Sequence, residues 1–201
     1  MYIKKSLKKY LEDLASVKPA PGGGSASALI GALGVAELLM VCAFTLKSSR
    51  YKKAHKPIKA IQSDLRLAKK KLTLLIDEDI RAYAEYRRAA DLSVSGGKKG
   101  NLGSVLKNIT EVPLRICRQV HLATLLIDGV ARNGNPHLRS DIFCAYQALV
   151  SAFESAKINV VINLSDRRNP LDAVKITRQL AKWKKDIKSV PGILKKPRKG
   201  V

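Results

Sequence analysis

Pro19-Ala20-Pro21-Gly22-Gly23-Gly24-Ser25-Ala26-Ser27-Ala28 is the stretch on which the reading of this chain turns. Two prolines forbid a helix before it, three glycines free the backbone, and Ser25 is placed to cap a helix on its C-terminal side. The next residues read as that helix, through about Leu46. Small residues at Ala26, Ala28, Gly31, Ala32 and Gly34 let another backbone approach closely, while Leu29, Leu33 and Met40 supply apolar bulk. A glycine loop that delivers amides to a helix N-terminus suits an anionic group. The same residues also read as a tight, capped entrance to a buried helix. No Lys-Ser or Lys-Thr comes after the glycines, and Leu11-Glu12-Asp13-Leu14-Ala15 before them looks helical rather than extended. Those two facts remove a Walker A loop and the strand context of a dinucleotide fingerprint.

On the N-terminal side, residues 3–16 carry Ile3, Leu7, Leu11, Leu14 and Ala15 at helical spacing and predict a short amphipathic helix. A second long helical pattern runs from about Pro57 to Ala90, with proline tolerated in its first turn. Residues 93–100 read as a flexible connection. A third pattern covers about residues 102–131 and is expected to bend at Pro113. Asn133-Gly134-Asn135-Pro136 stops it, and Ser140-Asp141 is placed to cap a fourth helix through about Leu164. Val160-Val161-Ile162 is β-branched enough to leave a strand open there. Residues 170–189, with the lone Trp183, predict a last amphipathic helix ended by Pro191-Gly192. The expectation is an all-α, multi-helical bundle of about five to six helices. Residues 1–190 form one domain and residues 191–201 a basic tail.

Composition agrees. Hydrophobic residues reach 46% while aromatics are only 5%, so the core must be aliphatic, which suits packed helices. The apolar run over residues 29–44 is interrupted by Glu37 and reads as a buried core helix rather than a membrane span. The chain opens without a charged-then-apolar leader pattern, so a cytoplasmic protein is expected. Cys42, Cys117 and Cys144 lie far apart without Cys-x-x-Cys spacing; each reads as a small buried residue. His55, His121 and His137 are equally scattered, and no metal is expected. The formal net charge is +22. Basic residues cluster at 4–9, 52–71, 167–178 and 182–199, without interleaved aromatics. Such an excess can hold nucleic acid, steer a small polyanion into a cleft, or simply give a basic soluble surface.

Periodicity singles out one carboxylate. The apolar stripe of the second long helix steps through Leu65, Ala68, Leu72, Leu75, Ile76, then Asp79, Tyr83 and Tyr86. Asp79 therefore falls on the face that should be buried, whereas Asp77 sits nearer the side and Glu78 more toward solvent. A buried carboxylate is expensive unless it is paired or functional. Desolvation raises its pKa and suits it to proton transfer near neutrality, and an ion pair with one of the many lysines or arginines is the alternative.

Taken in order, these segments resemble the cyclodeaminase/cyclohydrolase domain of the formiminotransferase-cyclodeaminase family. The matching pieces are PAPGGGSAS from Pro19, Met40-Val41 with Thr45, Lys47 and Tyr51, and Leu75-Ile76-Asp77-Glu78-Asp79-Ile80-Arg81-Ala82-Tyr83. Glu111-Val112-Pro113-Leu114, Gly134-Asn135-Pro136 with Ser140-Asp141, and Asn159-Val160-Val161-Ile162-Asn163-Leu164 complete the set. The chain departs from the family after Ala90, where a Leu-Pro-Lys turn is missing.

The resemblance implies an all-helical domain that dimerises through long helices, with a folate in a cleft at the subunit interface. Family members close formiminotetrahydrofolate to methenyltetrahydrofolate with loss of ammonia, or hydrolyse methenyltetrahydrofolate. The second Asp of the family's Asp-x-Asp-x-x-Ala-Tyr/Phe stretch is its proposed proton acceptor, and here that residue is Asp79. By the same resemblance Gly22, Gly23, Gly24, Ser25, Asp77, Asn135, Ser140, Asp141, Asn159 and Asn163 are expected at the substrate. No cofactor beyond tetrahydrofolate is implied, nor a membrane, and nucleic acid is not favoured as a partner. A basic surface would favour folates with polyglutamate tails. No formiminotransferase segment accompanies these residues, so the formimino substrate would arrive from another protein. The deaminase reading leads and the hydrolase reading stays open; a non-catalytic basic protein binding nucleic acid or a protein partner is the rival.

Overall fold

The computed structural model describes residues 1–94 and 102–194, which carry seven α-helices and no strand. The helices are α1 (Leu7–Leu14), α2 (Gly23–Lys47), α3 (His55–Val94), α4 (Leu102–Leu125), α5 (Ile127–Asn133), α6 (Arg139–Leu164) and α7 (Ala173–Leu194). Short 3-10 turns cover Tyr2–Lys4, Ser49–Ala54 and Pro136–Leu138. Four long helices form a ring in which α2 packs between α3 and α6, and α4 closes it against α3 and α6 from the opposite side. Helix α7 lies on α4, with its edges on α5 and α6. The core is aliphatic, with Leu38, Leu65, Leu72, Ile116, Leu149 and Phe153 fully buried.

The small residues of α2 do what their size permits. A Cβ on Gly34 would stand 2.9 Å from the Ala145 carbonyl oxygen of α6. On Gly31 it would stand 3.2 Å from Val120 and 3.3 Å from Leu72. Helix backbones can approach this closely only where the side chain is missing. The opposite stripe of α2 stays in solvent, with Leu33 56% and Phe44 52% exposed. Among the described residues α2 is the one helix long and apolar enough to cross a membrane, and half of its apolar window is packed inside the bundle.

Several boundaries differ from the sequence expectation. The N-terminal pattern does not form one helix: Lys5 is extended, and Ser6 caps α1 by accepting the Lys9 N–H at 3.2 Å. Its stripe of Ile3, Leu7 and Leu11 faces outward, because Tyr10 and Asp13 hold the buried side through hydrogen bonds. The third pattern is interrupted at Leu126, and helix α4 continues through Pro113. Pro113 cannot donate to the Ile109 carbonyl four residues back, and the Asn163 side-chain amide donates to that oxygen instead, at 2.8 Å.

Gly22, not Ser25, occupies the N-cap of α2, in extended backbone. Ser140 and Asp141 do not cap α6, which starts at Arg139 after a 3-10 turn whose cap is Asn135. Val160, Val161 and Ile162 are helical. Cys144 is exposed, unlike Cys42 and Cys117. Helix α7 continues past Pro191-Gly192 to Leu194. Helix α3 runs to Val94, and most of the expected 93–100 connection and the last seven residues of the tail lie outside the described residues.

Candidate active site

A cavity of about 640 Å³ opens where the N-terminus of α2 meets α3, α4 and α6. Its floor is the glycine run Gly22–Gly24 with Asp79 beside it, and Leu106, Ile109, Pro113 and Ile162 give it apolar walls. Tyr83 and Tyr86 stand one and two turns beyond Asp79 on the same face of α3, their ring centroids 6.4 Å apart. Asn159 and Asn163 reach the cavity from α6.

The geometry around Asp79 explains the third glycine. A Cβ on Gly24 would collide with the Asp79 carboxylate, whose Cγ lies only 2.6 Å from that position. No other amino acid leaves room for the carboxylate against this backbone. The close approach lets the Ser25 backbone N–H donate to Asp79. Burial pushes the Asp79 pKa up to about 6, and the Ser25 N–H partly opposes that rise. The ion pair with a lysine or arginine that the sequence left open is absent among the described residues. Asp79 is thus a half-buried, partly desolvated carboxylate whose proton is exchangeable near neutral pH.

Behind the loop, the Tyr10 hydroxyl and Ser25 Oγ share a buried hydrogen bond of 3.0 Å. The Tyr10 ring meets Tyr2 edge-on at 5.7 Å, and the Tyr2 hydroxyl donates to Asp13 at 2.8 Å. The N-terminal segment therefore forms a strap behind the glycine floor. Lys18 and Tyr2 together hold the Asp13 carboxyl well below the usual range, so it stays ionised.

Of the residues expected at the substrate, Gly22, Gly23, Gly24, Asp79, Asn159 and Asn163 come together, with Ser25 immediately behind them. Four do not line this cavity. Asp77, expected nearer the side of α3, is the more buried of the two aspartates, at 4% exposure while Asp79 is half-buried. The reason is that Asp77 accepts the backbone N–H groups of Tyr2 at 2.5 Å and Ile3 at 3.4 Å and so anchors the N-terminal strap. Asn135 accepts the Tyr51 hydroxyl at 3.0 Å and donates its N–H to Thr45 Oγ1 at 2.9 Å, at the far end of the bundle. Ser140 and Asp141 sit in the first turn of α6, eighteen or more residues before Asn159, which is about 27 Å along the helix axis. The Asp141 charge there acts on Glu37, adding to the rise that burial gives the Glu37 pKa.

Tyr10 and Asp166 were not singled out by the sequence. Asp166, next to the cavity, is clasped by Arg168 at 2.6 Å, which holds its pKa low, at about 2. Nothing local marks either residue, whereas Tyr83 and Tyr86 were legible as members of the stripe. No lysine or arginine lines the cavity among the described residues. The described residues contain no cluster of three or more His, Cys, Asp or Glu side chains fit to hold a metal.

An all-helical bundle that presses one desolvated carboxylate against a glycine-rich helix start, inside an apolar-walled cavity, defines a class of acid–base site for a small organic ligand. The profile of formiminotransferase-cyclodeaminase matches residues 6–182, and the chain belongs to that family. It is 31% identical over 170 residues to a methenyltetrahydrofolate cyclohydrolase of Methylorubrum extorquens, covering 81% of this chain and 82% of that protein. It is 29% identical over 166 residues to the formimidoyltransferase-cyclodeaminase of Rattus norvegicus, of whose length it spans only 31%. A crystal structure of formiminotetrahydrofolate cyclodeaminase from Thermotoga maritima superposes with a TM-score of 0.81 at 25% identity, covering 96% of this chain and 94% of that one.

Proposed function

We propose that this protein is a folate one-carbon enzyme that uses Asp79 as its proton acceptor. The observation that carries the reading is the Asp79 carboxylate itself, desolvated against Gly24, held by the Ser25 N–H and open to an apolar cavity. One such group serves both reactions named among the relatives. In hydrolysis of methenyltetrahydrofolate, Asp79 takes a proton from water as the oxygen attacks the one-carbon centre and returns it to the folate nitrogen as a carbon–nitrogen bond opens. The second water proton is released as the formyl carbonyl forms. In ring closure of formiminotetrahydrofolate, it takes the proton of the attacking folate nitrogen and gives it to the departing ammonia. Gly22, Gly23, Asn159 and Asn163 line the substrate, and the tyrosines and aliphatic walls suit a flat ring system.

The same reading includes a homodimer formed through the exposed apolar stripe of α2, no cofactor beyond tetrahydrofolate, and a cytoplasmic setting. Hydrolysis is the first arm to assay, because the likeness to the cyclohydrolase runs along most of that protein. The purified chain is incubated separately with methenyl- and formiminotetrahydrofolate while the methenyl absorbance is followed. A fall with the first or a rise with the second, each lost in Asp79→Asn, supports the reading. An Asp79→Asn variant with full turnover overturns it.

A further inference from the structure

Among the described residues no lysine or arginine lines the cavity, and one dense group of cations lies well away from it. Lys47, Arg50, Lys52, Lys53, Lys56 and Lys59 occupy the end of α2, the 3-10 turn and the first turns of α3, all of them exposed. No carboxylate falls between residues 47 and 63. None of the six makes an ion pair with a described residue, whereas Lys9, Lys18, Arg115, Arg132, Lys157, Arg168 and Lys184 elsewhere all do. Lys59, Arg66 and Lys70, spaced by seven and four, extend the patch along one stripe of α3. Twenty residues of helix separate Lys59 from Asp79, about 30 Å and several times the screening length at physiological salt. The patch therefore contributes little to the field in the cavity.

We infer that this end of the bundle is a second binding surface, for the phosphate backbone of double-stranded nucleic acid. Three observations select that partner. Six cations fall within thirteen residues at the turn between α2 and α3, a density that lets several face the phosphates of a duplex at once. Between Lys47 and Lys59 no large apolar side chain is exposed. The nearest two in sequence, Phe44 and Leu67, flank these cations, so any insertion into a lipid headgroup layer would be confined to the edges of the patch. Its one aromatic, Tyr51, is held by its hydroxyl to Asn135, and no stacking platform for unpaired bases is offered. That bond, with the His55 ring on the Ser48 carbonyl at 3.1 Å, fixes the turn that displays the cations. Binding to backbone phosphates alone is sequence-independent and steeply salt-dependent, with a log–log slope approaching about −5 if all six cations engage.

The test is fluorescence anisotropy of the full chain with a labelled random-sequence duplex of about twenty base pairs at 50 to 200 mM salt. Two variants with the same change in net charge are compared: Lys52→Glu/Lys53→Glu/Lys56→Glu in the patch, and Lys175→Glu/Arg178→Glu/Lys182→Glu on α7. The expected result is that wild type weakens about 10³-fold across that salt range. The patch variant is expected to bind at least ten times more weakly than the α7 variant, and both keep wild-type folate turnover and helical content. Lys52→Gln/Lys53→Gln/Lys56→Gln gives the same order with less perturbation. Equal losses in the two variants would show that net charge alone binds. That outcome overturns the proposal, as does absence of binding at 100 mM salt. Tighter binding to phosphatidylserine vesicles or to a single strand than to the duplex also overturns it.

Discussion

The cavity face of helix α3 and the turn that leads into α3 handle charge in opposite ways. On the cavity face, Asp79 is pressed against backbone and cavity, takes one amide N–H, and has its pKa moved by burial. At and just after the turn, Lys52, Lys53, Lys56 and Lys59 stand in water without partners among the described residues. A charge in water is solvated at no structural cost, so a lysine can be placed almost anywhere there. A charge out of water must be matched by specific groups, and that match is what makes it chemically useful. Among the described residues, the cavity is lined by Asp79 with no lysine or arginine, while the unpaired lysines of the α2–α3 turn lie about 30 Å along α3 from it.

The largest test of this contrast is Asp79→Asn, expected to lower turnover by about 10²–10⁴-fold, the usual worth of a positioned base. The same variant is expected to be more stable than wild type at pH 8. The folded pKa of about 6 lies above the ordinary value of 3.8, so the folded state binds the proton more tightly. Stability then falls as pH rises through that window, and by pH 8 the penalty is on the order of 3 kcal/mol. Thermal melts of both proteins at pH 4 and pH 8 check the sign: their difference should appear only at the higher pH.

Gly24→Ala comes next. The added Cβ must displace the carboxylate, and a misplacement of about 1 Å costs roughly 10²-fold in rate. Gly23→Ala is the control, because a Cβ there meets only Asn159, at an ordinary 3.7 Å. Smaller again is the pH profile of kcat/KM, whose acidic limb should fall with an apparent pKa near 6 as Asp79 is protonated. A limb near 4 would mean that the carboxylate is solvated in use. Tyr10→Phe should cost several-fold in kcat, because the buried Ser25 Oγ loses its partner behind the glycine floor on which Asp79 rests. At the bottom of the scale, charge reversal at Lys52, Lys53 and Lys56 should leave folate turnover unchanged at all salt concentrations. A measurable loss there would mean that the basic end does reach the cavity.

How much of this was legible in the chain depends on the range of the interaction. Helical period alone placed Asp79 on the inner face of α3 and put Tyr83 and Tyr86 beside it, because neighbours three, four and seven residues apart share a helix face whatever the fold. The small residues of α2 likewise announced a close helix contact before its partner was known. The all-helical class came from the same periodicity, together with the ordered motifs of the family. Packing settled what the two aspartates on either side of Glu78 would each do. Asp77 is turned onto the N-terminal strap while Asp79 faces the cavity, since their side chains point about 160° apart around α3. Packing also set Ser140 and Asp141 far from Asn159 on their shared helix, and let α4 absorb Pro113 because Asn163 reaches the carbonyl it orphans. Local spacing fixes which residues share a face, but which face meets which depends on contacts between residues far apart in the chain, such as Tyr10 with Ser25, Tyr2 with Asp77, and Gly24 with Asp79.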